Sequence, residues 1–88
     1  MYYVYVLATR ERERNIYVGY ASDLERRIRE HESGQSSYTR GSEWELVYYE
    51  AYGNEEDARE RERKLKQDGR SKHWLKQRIK SSLDDATK

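Results

Sequence analysis

An acidic residue occupies the apolar face of a predicted helix between Asn54 and Gly69. Ala58, Glu62 and Leu65 are spaced by four and then three residues, so their side chains share one helical face. Because this stripe is the apolar side of a highly charged segment, we expect it to face the core. An ionised carboxylate against a core is costly unless a cation or a metal ion compensates for it. Glu62 is therefore the first candidate functional residue.

A second predicted helix, Ser22 to Ser33, has cations on its apolar face. Four residues at helical spacing form its stripe: Leu24, Arg27, Ile28 and His31. Arg27 and His31 flank an apolar pair, which suggests a polar site shared with Glu62. A buried ion pair between Glu62 and Arg27, or long side chains reaching solvent from the edge of the stripe, would produce the same pattern. The two helices alone leave both interpretations open.

The composition indicates one small soluble domain. The chain has 88 residues and no Cys, which excludes disulfides and Cys-based zinc sites. Its 40% charged residues favour disorder, but nine Tyr and two Trp supply large apolar surfaces that argue for a folded core. With no signal peptide and no apolar run long enough to cross a membrane, we expect a cytoplasmic protein.

Charge is distributed unevenly along the chain. The net charge is +1, yet the segment from Arg59 to Lys80 contains ten Lys and Arg against three acidic residues. The segment from Met1 to Asp57 has seven basic and twelve acidic residues. A basic C-terminal third is typical of a surface that binds phosphates, although a solvated helical face has a similar composition.

Three strands are predicted from runs rich in Tyr, Val and Ile. They are Tyr2 to Ala8, Asn15 to Tyr20 and Trp44 to Tyr52. The polar stretch from Thr9 to Arg14 joins the first two strands as a hairpin. If the centre of the hairpin lies near Glu11, Tyr5 is opposite Tyr17 and both side chains point to one face.

Three helices follow from helical spacing and capping residues. The first begins at a capping box of Ser22 and Glu25 and ends at Gly34. Asn54 caps the second helix, and Gly69 ends it. The third runs from Ser71 to about Ser81, with three predicted buried residues: Trp74, Leu75 and Ile79.

The element order ββαβαα predicts an α/β fold of the α+β type. Helices pack on a small antiparallel three-stranded sheet, in a single domain of residues 1–82. The residues from Leu83 to Lys88 are predicted to be a frayed C-terminal tail.

Five short motifs occur together in this order. They are Tyr3-Val4-Tyr5, Tyr17-Val18-Gly19, D-L-E-R-R-x-x-x-H at 23–31, Y-T-R-G at 38–41 and R-E-x-x-L-K at 61–66. The set resembles the GIY-YIG nuclease superfamily. Within it, the small single-domain UPF0213-type proteins are the most alike, and these are similar to the N-terminal nuclease domain of bacterial excinuclease. The resemblance covers almost the whole chain and implies a GIY-YIG-like fold.

The resemblance implies a role for each matched residue. Tyr5 and Tyr17 are the paired tyrosines of the active face, with Tyr17 at the position usually proposed for activation of the nucleophile. Arg27 holds the scissile phosphate, and His31 lies near the attacking water. Glu62 is the single metal-binding carboxylate. Which of Tyr17, Tyr5 and His31 accepts the proton stays open.

The chain also departs from the family pattern. Tyr3 replaces the first Gly of "GIY", and Tyr20 follows the last Gly where excinuclease-type domains carry Lys. A phosphate-binding cation is therefore missing or comes from elsewhere in the chain. Arg40 and Lys66 are candidate nucleic-acid-binding replacements, and Tyr38 is a candidate for stacking on an unpaired base.

The function implied is that of a metal-dependent DNA endonuclease or nickase, with a connection to DNA repair. Mg²⁺ or Mn²⁺ would bind Glu62, since Mg²⁺ accepts one or two carboxylates and completes its shell with water and substrate oxygens. The expected partner is DNA, in single-stranded, branched or duplex form, with a possible protein partner for targeting. Two alternatives are a nucleic-acid-binding module without catalysis and a protein–protein interaction domain that uses the tyrosine face.

Overall fold

Three antiparallel strands form the centre of the fold. The structure is a computed structural model, and it describes residues 1–10, 14–33 and 43–85. Strands β1 (Tyr2–Thr9), β2 (Ile16–Ala21) and β3 (Trp44–Tyr52) lie in the order β2-β1-β3. The predicted strands are confirmed to within one residue at each end. Because β1 is central, its residues 4–9 are at most 1% exposed, with side chains alternating between two packed layers.

The β1–β2 hairpin has a register that differs from the predicted one. Tyr5 pairs with Gly19, and Leu7 pairs with Tyr17. The assumption that Tyr5 lies opposite Tyr17 is therefore wrong by two residues. The hairpin closes where the Thr9 amide donates to the Asn15 carbonyl at 3.0 Å. A shift of two residues keeps side chains on the same face, so Tyr5 and Tyr17 still share one side of the sheet.

Helix α1 (Leu24–Glu32) is capped by a different residue from the one predicted. The Asp23 carboxylate accepts a hydrogen bond from the Arg26 amide at 3.1 Å, so Asp23 is the N-cap and the Ser22 capping box is wrong. A carboxylate at this position is also favoured by the helix dipole. Ser33 ends the helix, and the predicted end at Gly34 lies outside the described residues.

Helix α2 (Glu55–Gln67) begins as predicted, with the Asn54 side chain accepting from the Glu56 amide at 2.8 Å. It is followed at once by α3 (Gly69–Arg78), and Asp68 both ends α2 and caps α3. The predicted roles of Gly69 as the end of α2 and Ser71 as the start of α3 are therefore wrong. The Asp68 carboxylate accepts from the Arg70 amide and from the Ser71 hydroxyl, both at 3.0 Å.

The C-terminal segment contains more helix than predicted. After α3, helix α4 (Lys80–Asp85) continues the chain, and Leu83 packs against the core. The predicted frayed tail is therefore wrong at its start, and residues 86–88 lie outside the described part. Leu75 and Ile79 are buried as predicted, but Trp74 is 64% exposed. The one-residue step from Leu75 turns Trp74 away from the buried side of α3.

The sheet is covered on both faces. On one face, Val4, Val6 and Val18 pack against four residues of α2, α3 and the C-cap of α3: Ala58, Leu65, Leu75 and Ile79. On the other face, Tyr5, Leu7 and Ala21 pack with Leu24 and Ile28 of α1 and with Tyr17 and Trp44. We call these the α2 face and the α1 face. None of the helices in the described residues is long and apolar enough to span a membrane.

Candidate active site

Three aromatic side chains from three different elements meet on the α1 face. Tyr5 comes from β1, Tyr17 from β2 and His31 from α1. The Tyr5 hydroxyl and Nε2 of His31 share a hydrogen bond of 2.9 Å. Ring centroids are 6.3 Å apart for Tyr5 and Tyr17, and 5.5 Å apart for Tyr17 and His31. Tyr5 is 0% exposed and His31 is 7% exposed, whereas Tyr17 remains partly exposed.

Gly19 makes room for the Tyr5 ring. Gly19 lies directly across the ladder from Tyr5, and a Cβ atom at this position would be 2.3 Å from both Cζ and the hydroxyl oxygen of Tyr5. Any side chain here would displace the phenol ring from its contact with His31. The glycine of the Tyr17-Val18-Gly19 motif is therefore required by close approach of a neighbouring side chain.

Burial sets the protonation states of two of the three rings. It raises the pKa of Tyr5 well above its usual range, and the neighbouring Tyr17 adds to this effect. Burial lowers the pKa of His31, and the positive charge of Arg27 lowers it further. At neutral pH, Tyr5 is thus a protonated phenol and His31 a neutral imidazole.

Arg27 projects from α1 one turn before His31. Its side chain is 47% exposed, and Nε lies 3.2 Å from the Glu30 Oε1 atom. Arg27 and His31 are four residues apart on one face of α1, and the positive charge of Arg27 lowers the pKa of His31. An exposed ion pair of this kind contributes at most about 1 kcal/mol, which a phosphate ligand can readily replace.

Glu62 reaches this site from the opposite side of the sheet. Lys66 Nζ lies 3.2 Å from the Glu62 Oε2 atom and 5.4 Å from the centroid of the Tyr17 ring. Helix α2 packs on the α2 face, but β2 is an edge strand, so side chains from α2 can contact Tyr17 past that edge. The Glu62 side chain is 22% exposed, at the margin of the core between the buried Ala58 and Leu65. The predicted apolar stripe is confirmed, with its carboxylate directed to the sheet edge.

The alternative of a Glu62–Arg27 ion pair is not found among the described residues. Glu62 pairs with Lys66, and Arg27 pairs with Glu30. Both charged groups therefore lie beside the tyrosines without neutralising each other. Such an arrangement leaves an anion-binding group, Arg27, and a cation-binding group, Glu62, each held by a single neighbouring side chain.

Comparison with known proteins identifies the family of this chain. The family model described as the GIY-YIG catalytic domain matches residues 1–80. The chain belongs to the GIY-YIG family. A UPF0213 protein of Oceanobacillus iheyensis is 38% identical over 68 residues, which cover 75% of this chain and 77% of the relative. A UPF0213 protein of Natronomonas pharaonis is 38% identical over 73 residues, which cover 81% of this chain and 84% of the relative. No solved structure matches the chain.

GIY-YIG nucleases generally depend on a divalent metal ion, and the donor set here fits one kind of metal site. The described residues contain no group of three or more side chains that could enclose a metal ion. Glu62 is a single, partly exposed carboxylate, which is sufficient for Mg²⁺ when water and substrate oxygens complete the shell. Glu62 would hold such an ion only after losing its weak contact with Lys66.

The remaining predicted residues have different outcomes. Lys66 lies against Tyr17, while Tyr38 and Arg40 fall outside the described residues. Trp44 was not predicted to belong to the site, yet its ring centroid is 6.5 Å from that of Tyr17. Trp44 pairs with Thr9 at the end of β1, so only the register of β3 against β1 could have placed it beside the GIY-YIG tyrosines.

Proposed function

We propose that this chain is a divalent-metal-dependent endonuclease or nickase that hydrolyses phosphodiester bonds in DNA. The observation that carries the proposal is the set of charges around one partly exposed ring. The Tyr17 ring lies against Tyr5 and His31, which are hydrogen-bonded to each other. Lys66, the ion-pair partner of Glu62, lies over the same ring. Arg27 adds a positive charge close to the same rings.

Proton removal from the attacking water is assigned to the three rings. Tyr17 is the partly exposed member and meets the water. Tyr5 hydrogen-bonds to His31, and the Tyr17 ring packs against both, with its centroid 6.3 Å from that of Tyr5 and 5.5 Å from that of His31. In the proposed step, Tyr17 takes the proton of the water while its own proton passes to the Tyr5 hydroxyl and the Tyr5 proton passes to Nε2 of His31. Tyr5 acts as a relay, and His31 is the final acceptor.

Charge stabilisation is assigned to residues on two elements. The guanidinium of Arg27 can form two parallel hydrogen bonds to the scissile phosphate after leaving Glu30. Glu62 would hold Mg²⁺ or Mn²⁺, which supplies neutralisation of the phosphate and of the leaving oxygen. Lys66, released from Glu62, takes the part of the missing phosphate-binding cation. Arg40 and Tyr38 remain predicted contacts for phosphate and base.

The excess of Lys and Arg in the segment from Arg59 to Lys80 supports DNA as the substrate, because positive charge attracts phosphates. Single-stranded, branched and duplex DNA are all candidates at this stage. A protein partner that brings the domain to its substrate remains a prediction.

The test is a cleavage assay on end-labelled single-stranded, duplex and branched DNA with Mg²⁺ or Mn²⁺. We expect cleavage that EDTA abolishes. Tyr17→Phe keeps the ring and its packing but removes the hydroxyl, so cleavage should fall about 100-fold or more while DNA binding persists. Tyr49→Phe is the matched control, since Tyr49 is an exposed tyrosine outside the site. Unchanged cleavage by Tyr17→Phe would contradict the assigned proton path, and binding without cleavage by the wild type would favour the non-catalytic binding module.

A further inference from the structure

Trp74 is a large apolar side chain on the outer surface of α3. It is 64% exposed, although its neighbour Leu75 is only 1% exposed. The His73 ring lies against it, with the two ring centroids 5.7 Å apart. The ring therefore contributes little to the core and presents much of its surface to solvent.

Positively charged residues surround this ring. Arg70 and Arg78 are four residues before and after Trp74, so all three side chains project from the same side of α3. Arg78 and Trp74 also line a depression of about 650 Å³ with Arg61, Ser71, Leu75 and Gln77. None of the ion pairs between described residues includes the four cations of α3: Arg70, Lys72, Lys76 and Arg78. We call Arg70, Trp74 and Arg78 the α3 surface.

A second exposed aromatic residue has the opposite surroundings. Tyr49 is 53% exposed and lines a groove of about 760 Å³ together with Asp23, Glu25 and Glu32, against the single cation Arg29. An excess of carboxylates repels phosphates, whereas the α3 surface attracts them. The charges around Trp74 and Tyr49 thus differ, and each of these two aromatic residues is suited to a different kind of ligand.

We propose that Trp74 stacks on an unpaired base of single-stranded DNA while Arg70 and Arg78 contact phosphates on either side of it. Bases inside a duplex already stack on each other, so a single exposed ring can gain stacking only on an unpaired base. Arg70 and Arg78 lie about 12 Å apart along the helix axis, with Trp74 midway between them. The proposal rests on the proposed function and selects, within it, DNA that has an unpaired segment.

The α3 surface is close in sequence to the candidate active site. Lys66, which contacts Tyr17, lies in the last turn of α2, and only Gln67 and Asp68 separate it from the start of α3. Trp74 is about 8 Å along the axis from the first residue of α3. A strand held at Trp74 therefore lies near the helix that carries Glu62 and Lys66.

The experiment measures fluorescence anisotropy of a labelled oligothymidine in EDTA, so that binding is observed without cleavage. Trp74→Ala should weaken binding by about 5- to 150-fold, the effect of one stacked base. Trp74→Phe should restore most of the affinity, because it retains an aromatic face. Tyr49→Ala, the matched control, should bind like the wild type. An abasic strand of the same length should bind the wild type and Trp74→Ala equally, and thermal melts establish that each variant is folded.

Two results would overturn the proposal. One is equal affinity of the wild type and Trp74→Ala for oligothymidine. If Trp74→Ala then abolishes self-association in sedimentation, Trp74 is a contact between copies of the chain and not a DNA contact. The other is an equal loss of affinity on the abasic strand. If the wild type cleaves DNA but Trp74→Ala binds DNA equally well, only the stacking proposal is refuted and the nuclease function stands. Binding that depends on Trp74, with no cleavage by the wild type, would refute the nuclease function and leave the α3 surface intact.

Discussion

Two tyrosine clusters lie on opposite faces of the sheet, and they differ in how firmly the charged residues beside them are held. On the α2 face, Glu50 accepts hydrogen bonds from the hydroxyls of Tyr48 at 2.7 Å and Tyr52 at 2.5 Å. The Arg61 guanidinium donates to both carboxylate oxygens of Glu50, at 2.9 and 3.0 Å. On the α1 face, Tyr17 is partly exposed, and the nearby charges, Arg27 on α1 and Glu62 on α2, each form a weak ion pair with a neighbour on their own helix.

The pKa shifts express the same difference. Burial alone would raise the pKa of Glu50, but the hydrogen bonds from Arg61, Tyr52 and Tyr48 outweigh it and lower the pKa. Burial and Glu50 raise the pKa of both Tyr48 and Tyr52 to about 12. These groups stay in one protonation state over the physiological range, which suits a structural role. The α1 face instead combines a neutral, buried imidazole with accessible charges, and this combination suits a catalytic role.

The largest expected difference is between two arginines. Arg27→Ala should reduce cleavage about 100- to 1000-fold, because it removes a positioned cation from the transition state, and it should leave stability nearly unchanged. Arg61→Ala should instead leave Glu50 partly buried with fewer donors and lower the free energy of unfolding by roughly 1–3 kcal/mol. Single-turnover cleavage and urea unfolding of both variants check this, and an exchange of the two phenotypes would reverse the assignment of the two faces.

A change at Gly19 should affect stability and cleavage together. In Gly19→Ala the new Cβ must displace the Tyr5 ring, so we expect a loss of about 1–3 kcal/mol in the free energy of unfolding. Cleavage should fall by up to about 100-fold, since the hydrogen bond between Tyr5 and His31 is displaced. Gly53→Ala is the matched control, because nothing lies within 4 Å of its added Cβ. Equal behaviour of the two variants would show that Tyr5 has no fixed position.

A smaller effect should appear on acidification. The pKa of folded His31 is lowered below the usual 6.5, mainly by burial and also by Arg27, so the unfolded chain binds more protons below that pH. This contribution to stability is fully present above pH 6.5 and is lost as the pH falls toward the folded pKa. Cleavage should decline only as the pH approaches the lowered pKa of folded His31, because the proton acceptor becomes charged there. The loss linked to Glu50 belongs to a separate window below pH 4.5.

Urea unfolding and cleavage at several pH values between 5 and 7.5 measure this effect in the wild type and in His31→Gln. The variant should lose the part of the acid sensitivity of unfolding that begins near pH 6.5. An identical pH dependence of unfolding in both proteins would exclude His31 as the titrating group.

The smallest effect is expected for a peripheral cation. Lys72→Ala should lower the slope of log affinity for DNA against log salt concentration by at most about one unit, with a modest loss of affinity. Arg27→Ala should change affinity little while cleavage collapses, because its contact acts mainly in the transition state. Binding titrations at several salt concentrations make the comparison. If Arg27→Ala and Lys72→Ala caused similar small losses in both binding and cleavage, Arg27 would be a surface cation without a catalytic role.

The strands and the polarity of the helical stripes could be predicted from the sequence because each depends on local spacing. The Tyr-rich and Val-rich runs predict all three strands, and Asn54 correctly predicts the start of α2. Local competition between caps was harder to predict. Asp23 rather than Ser22 caps α1, and Asp68 joins α2 to α3 where a glycine, Gly69, is typical of a helix end.

Which residues come together in the site depends on tertiary geometry, and the spacing of residues along the sequence does not determine that geometry. Closure of the hairpin by Thr9 and Asn15 sets the register that brings Gly19 under Tyr5. Contact between Lys66 and Tyr17 requires β2 to be an edge strand, which follows from the strand order alone. The exposure of Trp74 was mispredicted because a large aromatic residue beside Leu75 has the composition of a core position.

The most direct test of the account compares Glu62→Gln with Glu50→Gln, two substitutions that remove one charge and keep the side-chain shape. For Glu62→Gln we predict cleavage reduced at least about 100-fold, with DNA binding retained and the free energy of unfolding within about 0.5 kcal/mol of the wild type. For Glu50→Gln we predict cleavage per folded molecule unchanged and a loss of roughly 1–3 kcal/mol in stability. Cleavage at the wild-type rate by Glu62→Gln, together with a loss of stability, would contradict the account and make Glu62 a structural residue.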